Sequence, residues 1–515
     1  MPPVSAGGSC ANLANFSDPS VQITETSEIA AGPLGDGVGR AAAVDIQQLP
    51  AHCLVRGVID KRTGIGGKPY GMQFEMRLPQ EWNGRFLFQG GGGTNGSVAP
   101  AIGSVKGPAA LVRGFAVITQ DGGHQGNDAS FGEDQQARID MIYRSYDRVT
   151  TIGKQLINTY YGKPADRSYF FGCSEGGREA MLVSQRLPLE YDGVIDGAAG
   201  GLLGVTFHAN TDQAIVAHLA PKGTDGKPDA SKAFSDADLK LIEAKIETDC
   251  DANDGLKDGL IDNPMACHPD LESLICNGTK KTELCVTKAQ VRTVRALFGG
   301  GSPTGYGGVL SQGYFYDTGI DLPAWRAKMS GVGRPSRGVS SVQGLFLTPY
   351  EPTFDDTDID FAKVGPRFEE VGSLYRTDGV MYSSFKQHGG KMLMYIGVAD
   401  PSANAKEVIA YYQRLSAANG GAAATADFAR LFLVPGMTHC RGGRALDDFD
   451  PLQALVEWVE QRKPPAFMVA TGKAFPGRSR PLCAYPTQSR YRGTGSSEEA
   501  ANFECRNPES DAKAP

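Results

Sequence analysis

Short apolar runs broken by glycine-rich turns give the first two hundred residues the rhythm of strand and helix. Residues 54–59, 73–78 and 85–88 alternate or cluster apolar side chains and read as strands, an antiparallel entry to a sheet. Residues 115–119 predict another buried strand. Val149, Ile152, Leu156 and Tyr160 then recur at three- and four-residue spacing, which places them on one face of a helix. A further strand is expected at 169–171, running into Gly172-Cys173-Ser174-Glu175-Gly176 and a helix from Gly177. After 194–200 the alternation stops. It resumes with a strand at 391–398, a helix near 406–417, a strand at 430–434 and a helix opened by Asp450-Pro451, a capping residue with proline in the first turn. Between lie acidic turns, four cysteines and glycine-rich loops without strand–helix alternation. The simplest organisation is one α/β core, residues 1–200 and 386–515, interrupted by a lid at 201–385. Residues 1–50 read mostly as coil, anchored through Cys10.

The stretch around Ser174 carries the chemistry. G-x-S-x-G between a strand and a helix is the sharp turn that lifts a serine hydroxyl above the carboxyl end of a parallel sheet, and it predicts an α/β-hydrolase fold. A serine hydroxyl needs a base to take its proton and a carboxylate to orient that base, in the chain order Ser, acid, His. Downstream of Ser174, only His439 follows a late strand within a glycine-rich loop; His208, His218 and His268 fall in the insertion and His388 precedes its strand. Asp400 lies just past the strand ending at 398 and is the candidate acid, whereas Asp447, Asp448 and Asp450 come after the histidine. The backbone N–H of Glu175 follows the nucleophile and is one candidate oxyanion donor; the glycine loop at 90–93, and Gly93 in particular, is the candidate for the second. Cys173 directly precedes Ser174 and Cys440 directly follows His439. If hydroxyl and imidazole meet, the two sulfurs must also be close, which predicts a Cys173–Cys440 disulfide. A competing assignment makes Cys173 the nucleophile. A non-catalytic alternative keeps the fold as a calcium-stabilised carbohydrate-binding or adhesion protein.

Charge and cysteine content narrow the setting. A formal net charge of −7 offers no basic field for nucleic acid, and no apolar run is long enough to span a bilayer. Ten cysteines, an even number, suit five disulfides in an oxidising compartment, so a secreted or periplasmic protein is expected, its N-terminus read as that of a mature form with a start Met added. A monomer is favoured. Residues 250–263 crowd Asp251, Asp254, Asp258 and Asp262 among glycines, an oxygen-rich turn suited to a hard cation such as calcium but without EF-hand spacing.

Taken together, Arg62-Thr63-Gly64-Ile65, Trp82-Asn83-Gly84-Arg85-Phe86, the glycine loop at 90–97, Gly172-Cys173-Ser174-Glu175-Gly176-Gly177-Arg178, the aspartate turn and Gly436-Met437-Thr438-His439-Cys440-Arg441-Gly442-Gly443 resemble the tannase and feruloyl esterase family over nearly the whole chain. The resemblance implies a serine esterase for small esters of aromatic acids, of feruloyl, galloyl or terephthalate-monoester type, with Ser174, His439 and Asp400 as triad and Gly93 and Glu175 as oxyanion donors. It implies a structural Ca2+ held by Asp251, Asp254 and Asp258 with the Leu256 and Leu260 carbonyls. Ten cysteines allow about 945 pairings; the family implies Cys10–Cys53, Cys250–Cys267, Cys276–Cys285 and Cys483–Cys505 beside the central pair. Substrate selection is where the chain departs. Members acting on terephthalate monoesters carry phenylalanine three residues after the acid, where this chain has Ala403, and serine where Gly92 stands. Their lid arginine has no clear counterpart, leaving Arg334 and Arg337 as candidates, with Trp325, Phe346 and Tyr350 available as an aromatic wall.

Overall fold

A computed structural model describes residues 4–5, 7–33, 48–103, 105–126, 128–199, 216, 219–224, 226, 229–278, 280–299, 312–330, 342–354, 366–367, 370 and 372–508. Its main sheet contains β1 (Val21–Ile29), β2 (His52–Thr63), β3 (Pro69–Pro79), β4 (Arg85–Gln89), β5 (Ala116–Gln120), β6 (Arg167–Cys173), β7 (Gly193–Gly197), β8 (Lys391–Gly397) and β9 (Ala429–Val434). They lie side by side in the order β9-β8-β7-β6-β4-β5-β3-β2-β1. From β1 to β5 the pairings are antiparallel, and from β5 through β4 to β9 they are parallel. An antiparallel start, one exchange of neighbours and a parallel run with the serine turn at the end of β6 make this an α/β-hydrolase sheet. The parallel strands are continuous apolar runs because helices cover both faces; every residue of β5 and β7 is buried.

The helices follow the periodicity. In α1 (Ser145–Tyr161) Val149, Ile152, Leu156 and Tyr160 are all buried, and the helix ends at Gly162 in the left-handed conformation. The nucleophile turn leads into α2 (Glu175–Arg186). Within the insertion, α3 (Asp236–Cys250) opens with a capping box between Ser235 and Asp238, followed by α4 (Lys288–Gly299) and α5 (Pro323–Ser330). After β8 comes α6 (Ala405–Ala418), and α7 (Pro451–Gln461) starts with the Asp450 side chain accepting from the Gln453 amide, as the sequence predicts.

The buried apolar residues form two clusters. The larger follows the sheet; the smaller, from Val216 to Met329, lies within the insertion and centres on α3, α4 and α5. Tyr382 and Phe385 join the larger one, as does Leu260 from the aspartate turn. One expectation fails near the N-terminus. Residues 21–29 are not coil but the edge strand β1, whose half-exposed alternation carries too few apolar positions to register as a strand. Two short hairpins near the C-terminus, Phe467–Ala470 with Arg480–Cys483 and Gln488–Tyr491 with Phe503–Arg506, are likewise too brief to read from periodicity.

Candidate active site

The turn at Ser174 is built by exclusion of side chains. β6 delivers a wholly buried Ser168–Cys173 into it, and Ser174 takes φ +66° and ψ −123°, a conformation that costs a non-glycine residue of order 1–3 kcal/mol. That cost is tolerated because the neighbours leave no alternative. A Cβ on Gly172 would sit 2.1 Å from the Gly176 carbonyl oxygen, and one on Gly176 would sit 2.7 Å from that of Gly91. The Ser174 amide donates to the Gly197 carbonyl at 2.8 Å, and the Ser174 carbonyl accepts from Gly177 (3.0 Å) and Arg178 (3.1 Å). Glu175 is the first residue of α2, so its N–H has no helical acceptor. Across the β4–β6 ladder Phe88 lies opposite Phe170 with rings stacked at 4.8 Å, which registers the end of β4, and so the glycine loop, beside the serine turn. In that loop Gly93 is exposed at φ +63°, and its amide donates to nothing among the described residues.

Asp400 and His439 meet as the chain order predicts. The fully buried Asp400 carboxylate accepts from His439 Nδ1 at 2.8 Å through Oδ2, and from the Ser402 and Ala403 amides at 2.7 and 3.0 Å through Oδ1. With Nδ1 donating to the carboxylate, the other ring nitrogen, Nε2, keeps its lone pair for a proton. Burial pulls the imidazole pKa down, but the Asp400 charge and hydrogen bond outweigh it and hold His439 above its ordinary range. Cys173 and Cys440 form a disulfide with Cα atoms 6.0 Å apart, joining the serine turn to the histidine loop. Cys173 therefore has no thiol to offer as a nucleophile. The Ser174 hydroxyl is not hydrogen-bonded to His439 here; such contacts commonly tighten only around substrate. The other four pairings implied by the family are also formed, and no described cysteine is free.

The histidine loop is held by residues between β7 and β8 that sequence inspection did not single out. The Gly436 amide donates to Asp317 Oδ2 at 2.7 Å, and Arg444 reaches both Glu243 and Asp321 at 2.7 Å. Glu243 also accepts from the Gly319 and Ile320 amides. Burial pushes Asp317 and Glu243 each up to about 7. Nothing in their spacing signals this; the contacts exist only once the insertion docks.

The substrate candidates fare differently. Trp325 is 2 % exposed and packs among Phe298 and Tyr314, its indole N–H donating to the Ala399 carbonyl beside Asp400 at 2.8 Å. Ala403 and Phe346 are fully buried. These three thus pack as interior residues, and Trp325 also ties α5 to the acid loop. Arg334 and Arg337 lie outside the described residues.

In the aspartate turn, closed by Cys250–Cys267, the carboxylates bind backbone amides. Asp251 accepts from Asp258 and Gly259, Asp254 from Leu256 and Asp262, and Asp258 from Leu260. Arg480 also pairs with Asp258. Burial, aided by Asp258, pushes Asp254 up to about 6, and burial with Asp254 and Asp258 alongside lifts Asp262 well above the carboxylate range. The donor set, carboxylate oxygens crowded together and only partly offset by Arg480, fits a hard cation. Among the described residues, however, no group of three or more His, Cys, Asp or Glu side chains stands ready-made around one point.

Comparison with known proteins places this geometry in context. The family model for "Tannase and feruloyl esterase" matches residues 53–506. The chain is 39% identical to a mono(2-hydroxyethyl) terephthalate hydrolase of Piscinibacter sakaiensis, over 91% of this chain and 87% of that one. It is 30% identical to a probable feruloyl esterase B of Aspergillus niger, over 84% and 83% of the two chains. The crystal structure of feruloyl esterase B from Aspergillus oryzae superposes with a TM-score of 0.82 at 24% identity, covering 96% of this chain and 99% of that one. A tannin acyl hydrolase from Aspergillus niger gives 0.71 at 20%, covering 95% and 92%. At those identities the structural matches speak for the fold, while the sequence matches speak for descent. With a hydrolytic family established, the adhesion alternative falls away. This chain belongs to the tannase and feruloyl esterase family of carboxylic ester hydrolases.

Proposed function

We propose that the chain cleaves small esters of aromatic carboxylic acids through an acyl-enzyme, with Ser174 as nucleophile, His439 as general base and acid, and Asp400 orienting the imidazole. The observation that carries this is the 2.8 Å Asp400–His439 contact one residue from the disulfide that leads to Ser174. Ser174 Oγ attacks the ester carbonyl carbon while its proton passes to His439 Nε2. The carbonyl oxygen, now negative, is received by the N–H groups of Glu175 and Gly93. Collapse breaks the ester C–O bond, and the leaving alkoxide takes the proton from His439. Water repeats the sequence on the acyl-enzyme and frees the acid. Names borne by relatives, a terephthalate monoester hydrolase and feruloyl esterases, support an aromatic acyl group.

Asp251, Asp254 and Asp258 with the Leu256 and Leu260 carbonyls are the residues that would hold Ca2+, and its contribution would be to stability alone. Five disulfides support an oxidising, extracytoplasmic setting. The test is kcat/KM for methyl ferulate, methyl gallate and mono(2-hydroxyethyl) terephthalate. Turnover of at least one, abolished in Ser174→Ala, is expected. Equal rates for enzyme and variant on all three would refute the assignment.

A further inference from the structure

Helix α2 buries two glutamates one turn apart, and they serve different partners. Glu175 is neutralised: Arg178 lies 2.6 Å from its Oε1 and the Tyr375 hydroxyl donates to Oε2 at 2.6 Å. Glu179 is completely buried, and its three hydrogen-bond partners are all uncharged. The Gly91 amide donates to Oε2 at 2.9 Å, while Asn95 Nδ2 and the Tyr146 hydroxyl donate to Oε1 at 3.2 and 3.1 Å.

Two of those partners belong to the glycine loop. Asn95 extends the grip, because its Oδ1 accepts from the Gly92 amide at 2.9 Å while its own amide donates to the Gly92 carbonyl at 2.9 Å. Asn95 does this at φ +50°, in the left-handed region. The amides of residues 91 and 92 are thereby occupied, and the next one, Gly93, is left over. The loop also lies flush on the helix: a Cβ at Gly90 would be 2.9 Å from the Gly176 Cα and 3.0 Å from Glu179 Oε2.

We propose that Glu179 is a positioning residue for the oxyanion hole, an ionised carboxylate that clamps residues 90–95 to the helix whose first N–H is the other donor. This rests on the assignment of Gly93 and Glu175 as oxyanion donors made above. Both donors are then referenced to one rigid element, which is what preorganised stabilisation of a developing charge requires. The residue type matters. An ionised carboxylate only accepts, matching three donors, whereas a glutamine would turn an –NH2 toward the Gly91 amide or toward Asn95 and Tyr146. Burial, with Glu175 nearby, pushes the Glu179 carboxyl up to about 7, so the acceptor-only form prevails on the alkaline side of that value.

The test is Glu179→Gln in the full chain at pH ~8.5, where the wild-type carboxylate is ionised, with methyl ferulate as substrate and an arylboronic acid as a tetrahedral oxyanion mimic. The expected result is a kcat at least about 30-fold lower per folded molecule, a KM within about threefold, and boronate affinity reduced in step with kcat. A merely structural role would lower the melting temperature and leave that split absent. Wild-type kcat in folded Glu179→Gln would overturn the proposal. Should that variant fail to fold, Asn95→Gly, which accepts φ +50° and removes the side-chain bonds to Glu179 and Gly92 while leaving the Gly91 amide on the carboxylate, must show the same kcat-selective loss, and an unchanged kcat there overturns it equally. A Ser174→Ala enzyme that keeps its rate brings down the active-site assignment and the clamp with it. An inactive Ser174→Ala beside an unimpaired Glu179→Gln brings down the clamp alone.

Discussion

Replacing Cys173 and Cys440 together by alanine cuts the covalent link between the serine turn and the histidine loop while leaving four other disulfides in place. The bridge spans 267 residues. In the chain-entropy account a loop of that length is worth about 5.5 kcal/mol through restriction of the unfolded chain, a ceiling that measured disulfides seldom reach. Against this, Cys440 sits at φ +63°, and releasing a non-glycine residue from that region recovers about 1–3 kcal/mol. The expected loss is therefore roughly 2.5–4.5 kcal/mol. The catalytic effect is separate. Once the bridge is gone, residue 440 relaxes from the left-handed conformation and carries His439 with it. A displacement of about 1 Å at a reacting group costs on the order of a hundredfold in rate. Urea unfolding followed by tryptophan fluorescence gives the stability term. Burst titration with an activated aryl ester, which counts competent sites, gives kcat per folded molecule. A folded double variant with wild-type kcat would show that packing alone sets the serine–histidine geometry.

Three further outcomes follow from the same contacts. Asp400→Asn cannot hold the imidazole tautomer through the 2.8 Å contact at Nδ1, so kcat should fall by about 10³–10⁴ with KM little changed; a loss under tenfold contradicts the triad. Because the neutral imidazole is the base and Asp400 raises its pKa, kcat/KM should decline on the acid side with a midpoint above the ordinary histidine value of about 6.5. In Asp400→Asn that midpoint should move down, and an unmoved one contradicts the electrostatic argument. Chelation with EGTA should lower the melting temperature, and added Ca2+ should restore it. Repulsion among Asp254, Asp258 and Asp262, which Arg480 only partly offsets, then acts without a cation; a melting temperature indifferent to chelator removes the calcium assignment.

Much of the site was legible because its chemistry forces local sequence. The serine turn leaves no room for a Cβ at 172, which the Gly176 backbone fills, or at 176, which the Gly91 carbonyl fills. The histidine and its acid follow buried parallel strands, and such strands announce themselves as apolar runs. Edge strand β1 was missed for the opposite reason: none of its nine residues is buried and three are exposed, so its pattern is weak. Glu179 was invisible too. No local pattern marks it, because its partners Gly91, Asn95 and Tyr146 come from segments far from it in the chain. The contacts of Asp317 with Gly436 and of Arg444 with Glu243 and Asp321 join segments more than a hundred residues apart, and no local pattern encodes that. The cysteine pairing outside the central bridge came from the family resemblance, because spacing alone does not choose among so many connectivities.

The central claim is that residue 174 carries the acyl group while His439 activates it. Mixing the enzyme with p-nitrophenyl ferulate, quenching in acid within the first turnover and mapping the digest by mass spectrometry tests it most directly. A feruloyl adduct on the Ser174 peptide, lost in Ser174→Ala and accumulating far more slowly in His439→Ala, is the predicted result. Turnover without an adduct, or an adduct on another residue, contradicts it.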